Sequence, residues 1–196
     1  MINAANHLEE LPALRSDGRS RLRLMAHGAV GLDGLAGPFE RGDDVLWVFY
    51  DKESDMNEGG LVASKMALGI VYTATASVAE LRDLESKIAK AINLHGTRYI
   101  HVHAPCPLST GVAPRHTIRL ARLAVESGIF PLFEAENGAL TSSHKIRHRI
   151  SVSEYLKPQK RFAHLGNEDP TIARWQQIAD NNITKYKLFS SEERGR

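Results

Sequence analysis

Four apolar runs of strand length, separated by stretches with helical spacing, constrain the fold of this chain more than any other feature. The runs are rich in β-branched and aromatic residues, which is typical of strands buried on both faces. Strands that alternate with helices usually pair in parallel through right-handed crossovers, so the pattern predicts an α/β fold with a mostly parallel sheet. The runs occupy residues 45–51, 70–76, 99–105 and 130–136, and the pair Asn137-Gly138 indicates a turn after the last one.

A helix is predicted directly after the second strand. Ser77 and Glu80 have the spacing of a capping box, in which a hydroxyl and a carboxylate satisfy free backbone N–H groups at a helix start. Gly96 is the expected stop of this helix. Between them the apolar residues recur on one helical face and form a single stripe. The stripe consists of Leu81, Leu84, Ile88 and Ile92.

Further helices are predicted before the first and second strands and on both sides of the fourth strand. Residues 34–41 and 61–68 are short candidates. Asp169-Pro170 combines an N-cap with a first-turn residue and predicts a last helix. The inward positions predicted for this last helix are Ile172, Trp175 and Ile178. Another helix is predicted over residues 114–128, with inward positions at Ile118, Ala121 and Val125.

The size and charge of the chain indicate one globular domain with peripheral segments. A length of 196 residues suits a single core, and a net charge of +2 does not favour nucleic acid or membrane as the main partner. We expect a cytoplasmic protein, since no apolar run has the length of a membrane span or the position of a signal-peptide core. The predicted parts are a polar extension (1–22), an α/β domain (23–138) and a basic tail with a terminal helix (139–196), in which residues 144–165 run over the surface.

Several stretches are similar to one known family. They are APCP at 104–107, RHTIRLARLAVESGIFPLFEAENG at 115–138 and SVSEYLKPQKRFAHL at 151–165, and the segment 30–60 also matches in order. The sequence resembles the beta, thiamine-diphosphate-binding subunit of the pyruvate:ferredoxin oxidoreductase family, nearly continuously from Val30 to about Ile178. The resemblance implies a three-layer thiamine-diphosphate-binding fold, here without the N-terminal region of the family subunit.

The resemblance also implies where a cofactor would bind. The family holds thiamine diphosphate through Mg²⁺ with a Gly-Asp-Gly motif and an Asp-Asn-Glu-x-Tyr-x-Asn-Thr-Gly motif. Counted back from Val30-Gly31, the first motif falls on Arg23, Leu24 and Met25, which include no carboxylate. The positions that the resemblance assigns to the cofactor site are Gly31, Asp51, Lys52, Asp55, Asn57 and Gly59.

Two of these positions depart from the family in ways that matter for Mg²⁺. Lys52 replaces the asparagine of the second motif, and a cationic side chain repels a divalent metal that prefers oxygen ligands. Asp55 replaces the tyrosine and is the nearest substitute oxygen ligand. The family's polar loop after this motif is missing, because Gly59-Gly60 leads directly into LVASKMALG. We therefore predict that the isolated chain binds thiamine diphosphate with Mg²⁺ very weakly or not at all.

Cys106 occupies the position of a cluster ligand in the family and is the single cysteine of this chain. A 4Fe–4S cluster needs about four thiolates, so we expect no cluster here and a cysteine that packs as a small hydrophobic residue. His101 and His103 lie two apart on a predicted strand and share one face, which leaves a zinc site with Cys106 as an alternative to packed histidines. The further ligands would have to be residues such as His95 or His116.

The C-terminal tail carries a run of cations that allows two interpretations. A solvated face or a contact with another subunit is favoured over RNA binding, since few aromatic residues are interleaved with the charges. The cations are Lys145, Arg147, His148, Arg149, Lys157, Lys160 and Arg161.

Two functions remain open at the level of sequence. The resemblance implies a component of a 2-oxoacid (pyruvate) oxidoreductase that works with alpha, gamma and delta subunits and passes electrons to ferredoxin, without catalysis by this chain alone. The alternative is a non-catalytic, degenerate paralogue with a structural or assembly role. A homo-oligomer is a further possibility in either case, and neither function involves nucleic acid or membrane.

Overall fold

Six strands form one sheet in the computed structural model, which describes residues 21–26, 43–51, 70–166 and 168–189. The first four strands along the chain pair in parallel, which confirms the predicted α/β fold with a mostly parallel sheet. The order across the sheet is β1-β2-β4-β3-β5-β6. The strands are β1 (Arg21–Ala26), β2 (Val45–Asp51), β3 (Tyr72–Ser77), β4 (Thr97–His103), β5 (Phe133–Glu136) and β6 (Ala139–Ser143).

Helices cover both faces of the sheet and complete three layers. They are α1 (Leu81–Ile92), α2 (Pro107–Thr110), α3 (Thr117–Glu126), α4 (Val152–Leu156) and α5 (Pro170–Lys185). Helix α1 covers one face, where its Ala91 packs with Ile100 of β4. Helices α3, α4 and α5 form a cluster that includes Phe130, and Phe130 contacts the ring of His101. Neighbouring residues of a strand point to opposite faces, so this cluster covers the face opposite to α1.

The fourth predicted strand pairs differently from the other three. Strand β5 is antiparallel to β3 and forms an antiparallel hairpin with β6, a strand that the sequence analysis does not predict. The turn between them is the predicted Asn137-Gly138 pair, in which both residues have positive φ (49° and 80°). Two consecutive positive φ angles match the twist of a two-residue hairpin turn. Strand β6 lacks an apolar run because it is mostly exposed.

The tail after residue 143 is partly a core segment, which corrects the expectation that residues 144–165 run over the surface. Ile146 and Ile150 are buried, whereas Lys145, Arg147 and Arg149 are exposed. Because exposed charged residues alternate with these buried apolar residues, the overall composition of the segment indicates a surface segment and does not reveal its buried positions. Helix α4 then buries Val152, Tyr155 and Leu156. The predicted boundary at residue 138 falls in the β5–β6 turn, and the division into domains stays a prediction.

Helix α1 buries the middle of its predicted apolar stripe, since Leu84 and Ile88 pack partly buried against the core, whereas both ends of the stripe are exposed. Leu81 and Ile92 are 65% and 54% exposed, and the buried positions are Lys87 and Ala91. The Lys87 ammonium donates to the Thr75 carbonyl oxygen at 2.9 Å, which allows a charged side chain to take a core position. Burial lowers the pKa of Lys87, and the neighbouring Asp83 carboxylate partly offsets this effect.

The start of α1 is also not a capping box. Ser77 is the last residue of β3, and its hydroxyl accepts a hydrogen bond from the Ala79 N–H at 3.2 Å. The N-cap is Glu80, which makes no side-chain capping hydrogen bond. The helix ends at Ile92, and Gly96 follows with a φ of +95° at the entry to β4. Strand β3 therefore includes Ser77, which the capping pattern assigns to the helix start, and a short turn joins the strand to α1.

The helices predicted over residues 114–128 and after Asp169-Pro170 are confirmed, but one predicted inward position of each, Ile118 and Ile178, is exposed. The segment 114–128 begins with a 3₁₀ turn at Pro114–His116 and continues as α3. Ala121 and Val125 are buried as predicted, but Ile118 is 47% exposed. Helix α5 has the predicted cap, since the Asp169 carboxylate accepts from the Thr171 N–H at 2.8 Å and Pro170 is the first helical residue.

The ion pair between Arg98 and Asp44 fixes the edge of the sheet at which β2 and β4 begin. Arg98 is 1% exposed and donates to an Asp44 carboxylate oxygen at 2.7 Å and to the carbonyl oxygens of Ala91 and Leu94. Asp44 also accepts from the Gly96 N–H at 3.1 Å. Burial lowers the pKa of Arg98, and the charge of Asp44 opposes that shift.

Two predicted helices, at 34–41 and 61–68, lie outside the described residues. Within the described ranges, no helix combines the length and the apolar character that a bilayer crossing requires.

Candidate functional site

Three buried side chains lie at one level along the carboxyl edge of the parallel strands. In the register, Asp51 at the end of β2 is beside His103 of β4, and His103 is beside Ser77 of β3. They are 6%, 0% and 0% exposed. Residues in register on neighbouring parallel strands point to the same face, and in open α/β sheets this edge is where ligands bind. The carboxyl edge is therefore the candidate functional site.

A chain of three polar side chains runs from this edge into the core. The Asp51 carboxylate lies 3.0 Å from Nε2 of His101, and the phenol oxygen of Tyr99 lies 3.3 Å from Nδ1 of the same ring. An Nε2–H that donates to Asp51 leaves Nδ1 as an acceptor for the tyrosine hydroxyl, so one tautomer satisfies both contacts. His101 is 1% exposed. The arrangement fixes the carboxylate and the imidazole in place.

Aromatic packing surrounds the two histidines. The His101 ring lies 5.0 Å from the Phe49 ring, and the His103 ring stacks on Phe130 at a centroid distance of 4.7 Å. Both histidines thus share one face, as their spacing predicts. His95 pairs with Asp44 at the opposite edge of the sheet. Among the described residues, no group of three or more His, Cys, Asp or Glu side chains is placed to hold a metal ion.

The structure describes only part of the cofactor motifs. Of the assigned positions, Asp51 is described, whereas Gly31, Lys52, Asp55, Asn57 and Gly59 lie outside the described residues. The positions of the Gly-Asp-Gly motif, 23–25, lie inside β1 in register with residues 47–49 of β2. A loop that cradles a diphosphate follows the end of a strand. These positions are therefore not in the loop that would bind it.

The described residues of the carboxyl edge do not fit the Mg²⁺ of a thiamine diphosphate site. Mg²⁺ requires several oxygen ligands in near-octahedral geometry. Asp51 is the one described motif carboxylate, it is buried, and its Oδ2 already binds an imidazole nitrogen. An imidazole beside the carboxylate suits a structural or proton-holding pair better than a hard-cation site.

Cys106 lies just after the carboxyl end of β4 and begins helix α2 as its N-cap. Its carbonyl oxygen accepts hydrogen bonds from the Thr110 N–H at 3.0 Å and from the hydroxyls of Ser109 and Thr110 at 3.1 and 2.8 Å. The side chain is half-buried. The turn is thus held by backbone and hydroxyl contacts.

A second group of ionisable residues ties α1 to the antiparallel edge, on the face opposite to Asp51. Glu134 accepts from the Tyr72 hydroxyl and from the Lys90 ammonium, both at 2.9 Å. Burial opposes ionisation of Glu134, but these two hydrogen bonds outweigh it and lower its pKa. Burial and the Glu134 charge raise the pKa of Tyr72 well above its ordinary value.

Sequence reasoning missed the chain formed by Asp51, His101 and Tyr99, although part of the signal was present. An aspartate closes one strand, and two histidines lie near the end of another. The missing information was that β2 lies beside β4 rather than beside β3. Strand order depends on the crossovers and not on the pattern of any one strand.

Known proteins similar to this chain are described as pyruvate synthase subunit PorB or as ketoisovalerate oxidoreductase subunit VorB. The chain is 38% identical over 181 residues to the pyruvate synthase subunit PorB of Methanocaldococcus jannaschii, covering 77% of this chain and 60% of that protein. It is 32% identical over a 212-residue alignment to PorB of Methanothermobacter marburgensis, covering 90% of this chain and 73% of that protein. It is 33% identical to the ketoisovalerate oxidoreductase subunit VorB of Pyrococcus abyssi, covering 74% of this chain and 58% of that protein. No protein-family model matches the chain.

Proposed function

This chain belongs to the family of pyruvate synthase PorB subunits, and we propose that it is a beta-subunit-like component of a 2-oxoacid:ferredoxin oxidoreductase. The observation that carries the proposal is the identity to PorB over 90% of the chain, together with the parallel sheet whose carboxyl edge holds Asp51. The proposed substrate class is pyruvate or a related 2-oxoacid, because the relatives include both pyruvate and ketoisovalerate enzymes.

The proposed activity belongs to a complex and not to this chain alone. The chain spans 60% of the length of the Methanocaldococcus relative. The proposed partners are the alpha, gamma and delta subunits of such an enzyme, with ferredoxin as the electron acceptor. The proposed reaction of the complex is oxidative decarboxylation with thiamine diphosphate, which supplies a carbanion nucleophile when it is bound.

A second function, a structural or assembly subunit without catalysis, is favoured by the state of Asp51. That carboxylate is buried and held 3.0 Å from His101. A buried carboxylate that is hydrogen-bonded to an imidazole can stabilise the carboxyl edge without a cofactor. In this version the chain keeps the family's fold and subunit contacts, and a paralogous subunit provides the cofactor site.

Both proposed functions require that the chain assembles with other oxidoreductase subunits. This can be tested by purifying the tagged chain from its native cells and identifying the attached subunits. We expect alpha, gamma and delta oxidoreductase subunits in stoichiometric amounts. A tagged chain that purifies with none of these subunits contradicts both versions.

The purified complex then distinguishes the two versions through pyruvate-dependent reduction of a viologen dye. If the chain contributes to the active site, Asp51→Asn lowers the rate by roughly tenfold or more, as loss of a positioned charged group does. The matched control is Asp180→Asn, whose carboxylate lies in an exposed pair with Arg149 and should leave the rate unchanged. An intact complex that is equally active with Asp51→Asn supports the structural version.

A further inference from the structure

A cleft of about 630 Å³ lies between the start of α3 and the segment that follows α4. One wall is formed by Val112, His116 and Arg119, and the other by Glu154, Lys157 and Lys160. None of the lining residues belongs to the Asp51 edge or to the cofactor motifs. The cleft is therefore a separate feature, which the proposed function does not use.

The rim of the cleft carries an excess of positive charge that the described residues do not neutralise. Arg119, Lys157 and Lys160 are exposed, and in the described part of the chain none of them has an ion pair or a side-chain hydrogen bond. Among the described residues that line the cleft, Glu154 is the one carboxylate. Three cations against one carboxylate leave an excess of two charges, which favours an anionic ligand.

The floor of the cleft is apolar. Leu120 is 2% exposed, Leu123 and Pro158 line the cleft beside it, and Val112 of the adjoining wall is 8% exposed. Small-molecule sites typically have volumes of roughly 300–1,000 Å³, with an apolar lining and a few charged groups. A cationic rim above an apolar floor is complementary to an anion attached to an apolar body. A fully polar ion would leave the floor unused.

The cationic wall is held in place by buried anchors and by one close backbone approach. Tyr155 and Gln159 are 0% and 1% exposed, and the Gln159 amide donates to the Tyr155 carbonyl oxygen at 2.9 Å. The Lys160 side chain packs directly against Gly111. Any side chain at position 111 would clash with it, since an added Cβ would lie 2.6 Å from the Lys160 Cβ. Gly111 also has a φ of +69°, which favours glycine. The stem of Lys160 is thus fixed against the opposite wall, which lowers the entropy cost of binding.

We propose that this cleft binds a small organic anion in which one or two phosphate groups are attached to a flat apolar body. The phosphates contact Arg119 and Lys160 at the rim, and the apolar body lies on Leu120 and Leu123. Arg119 supplies a planar fork of donors, and Lys160 supplies a point charge, a combination that suits phosphate oxygens.

Calorimetric titration of the full chain tests the proposal with ADP as the probe, and with adenosine and inorganic pyrophosphate as its two halves. We expect saturable binding of ADP with a Kd of roughly 1 mM or tighter, and binding of each half that is about tenfold weaker or absent. Arg119→Gln and Lys160→Gln should each weaken ADP binding by about tenfold, and Lys160→Arg should retain it. Higher salt should weaken the binding of ADP.

Arg122→Gln is the matched control, because Arg122 is an exposed cation of the same helix and does not line the cleft. It should bind ADP like the wild-type chain. Thermal melts establish that each variant is folded before titration. The proposal is overturned by a folded wild-type chain without saturable ADP binding, by adenosine binding as tightly as ADP, or by Arg119→Gln and Lys160→Gln that bind ADP as tightly as Arg122→Gln does.

Discussion

Arg98 shows how one charged residue can take the place of an apolar core residue. It lies in β4 at 1% exposure, a position at which the apolar pattern of a buried strand predicts a hydrophobic side chain. Its guanidinium joins the carboxylate of Asp44, ahead of β2, to carbonyl oxygens at the end of α1 and just beyond it. A guanidinium has five donors in a fixed plane, so it can satisfy several acceptors that no apolar residue could.

Arg98→Ala should lower the free energy of unfolding by about 3 kcal/mol or more, because it removes the buried guanidinium hydrogen bonds to Asp44 and to two carbonyl oxygens and leaves a cavity in the core. Urea denaturation followed by far-UV circular dichroism measures the loss. Arg149→Ala is the control, since Arg149 and Asp180 form a pair whose side chains are 47% and 49% exposed. That exposed pair should contribute about 0–1 kcal/mol. Equal losses in the two variants would show that burial of Arg98 contributes no extra stability.

At the scale of elements, the antiparallel edge is joined to α1 by Lys90. Its ammonium lies 2.9 Å from Glu134 and 2.8 Å from Glu136, and it also lies over the ring of Tyr72. An edge hairpin has one paired neighbour only, so contacts to a helix add restraint that a central strand does not need. The ion pairs therefore connect the hairpin to the parallel part of the sheet.

The pKa shift of Glu134 predicts acid sensitivity of this edge. Because its folded-state pKa is lowered, the ionised form stabilises the fold above the ordinary glutamate pKa of about 4.3, and that contribution is lost as the pH falls through the lowered value. Glu134→Gln should reduce the loss of stability between about pH 5 and pH 3, measured by urea denaturation at each pH. Glu154→Gln removes an exposed carboxylate without an ion pair among the described residues, and should leave that loss unchanged. Identical pH profiles for Glu134→Gln and wild type would contradict the prediction.

Sequence patterns predicted the helices and strands of this fold better than they predicted which of these elements pack against or pair with one another. The run at 45–51 and the Asp169-Pro170 cap each depend on neighbouring residues, and both are found as predicted. The antiparallel direction of β5 depends on contacts between residues far apart in sequence, such as Ala74 with Glu134. Leu84 and Ile88 of the predicted stripe pack against the core, but Leu81 and Ile92 are exposed, because an apolar helical face does not specify how much of it a neighbour will cover.

For the whole molecule, the three-layer α/β fold carries a buried Asp51–His101 pair at the carboxyl edge of its parallel strands. The parallel strands and the flanking helices form the expected three layers. At the carboxyl edge, Asp51 is paired with His101, a contact that the family motif does not predict. A sheet needs only apolar packing to persist, whereas a metal site needs several specific oxygen atoms. The architecture therefore does not depend on the presence of a complete set of metal ligands.

Titration of the isolated full chain with thiamine diphosphate and Mg²⁺ should give no saturable heat at micromolar concentrations. The resemblance places Leu24 and Lys52 at two ligand positions of the family motifs, and an ammonium at a metal-ligand position turns attraction for Mg²⁺ into repulsion. Asp51 cannot compensate alone, since its carboxylate is buried and contacts His101. Lys52→Asn should restore at most weak binding, because the Gly-Asp-Gly carboxylate is still missing. Saturable micromolar binding by the wild-type chain that Asp55→Ala or Asn57→Ala abolishes would instead mean that these residues have rebuilt the site with new oxygen ligands.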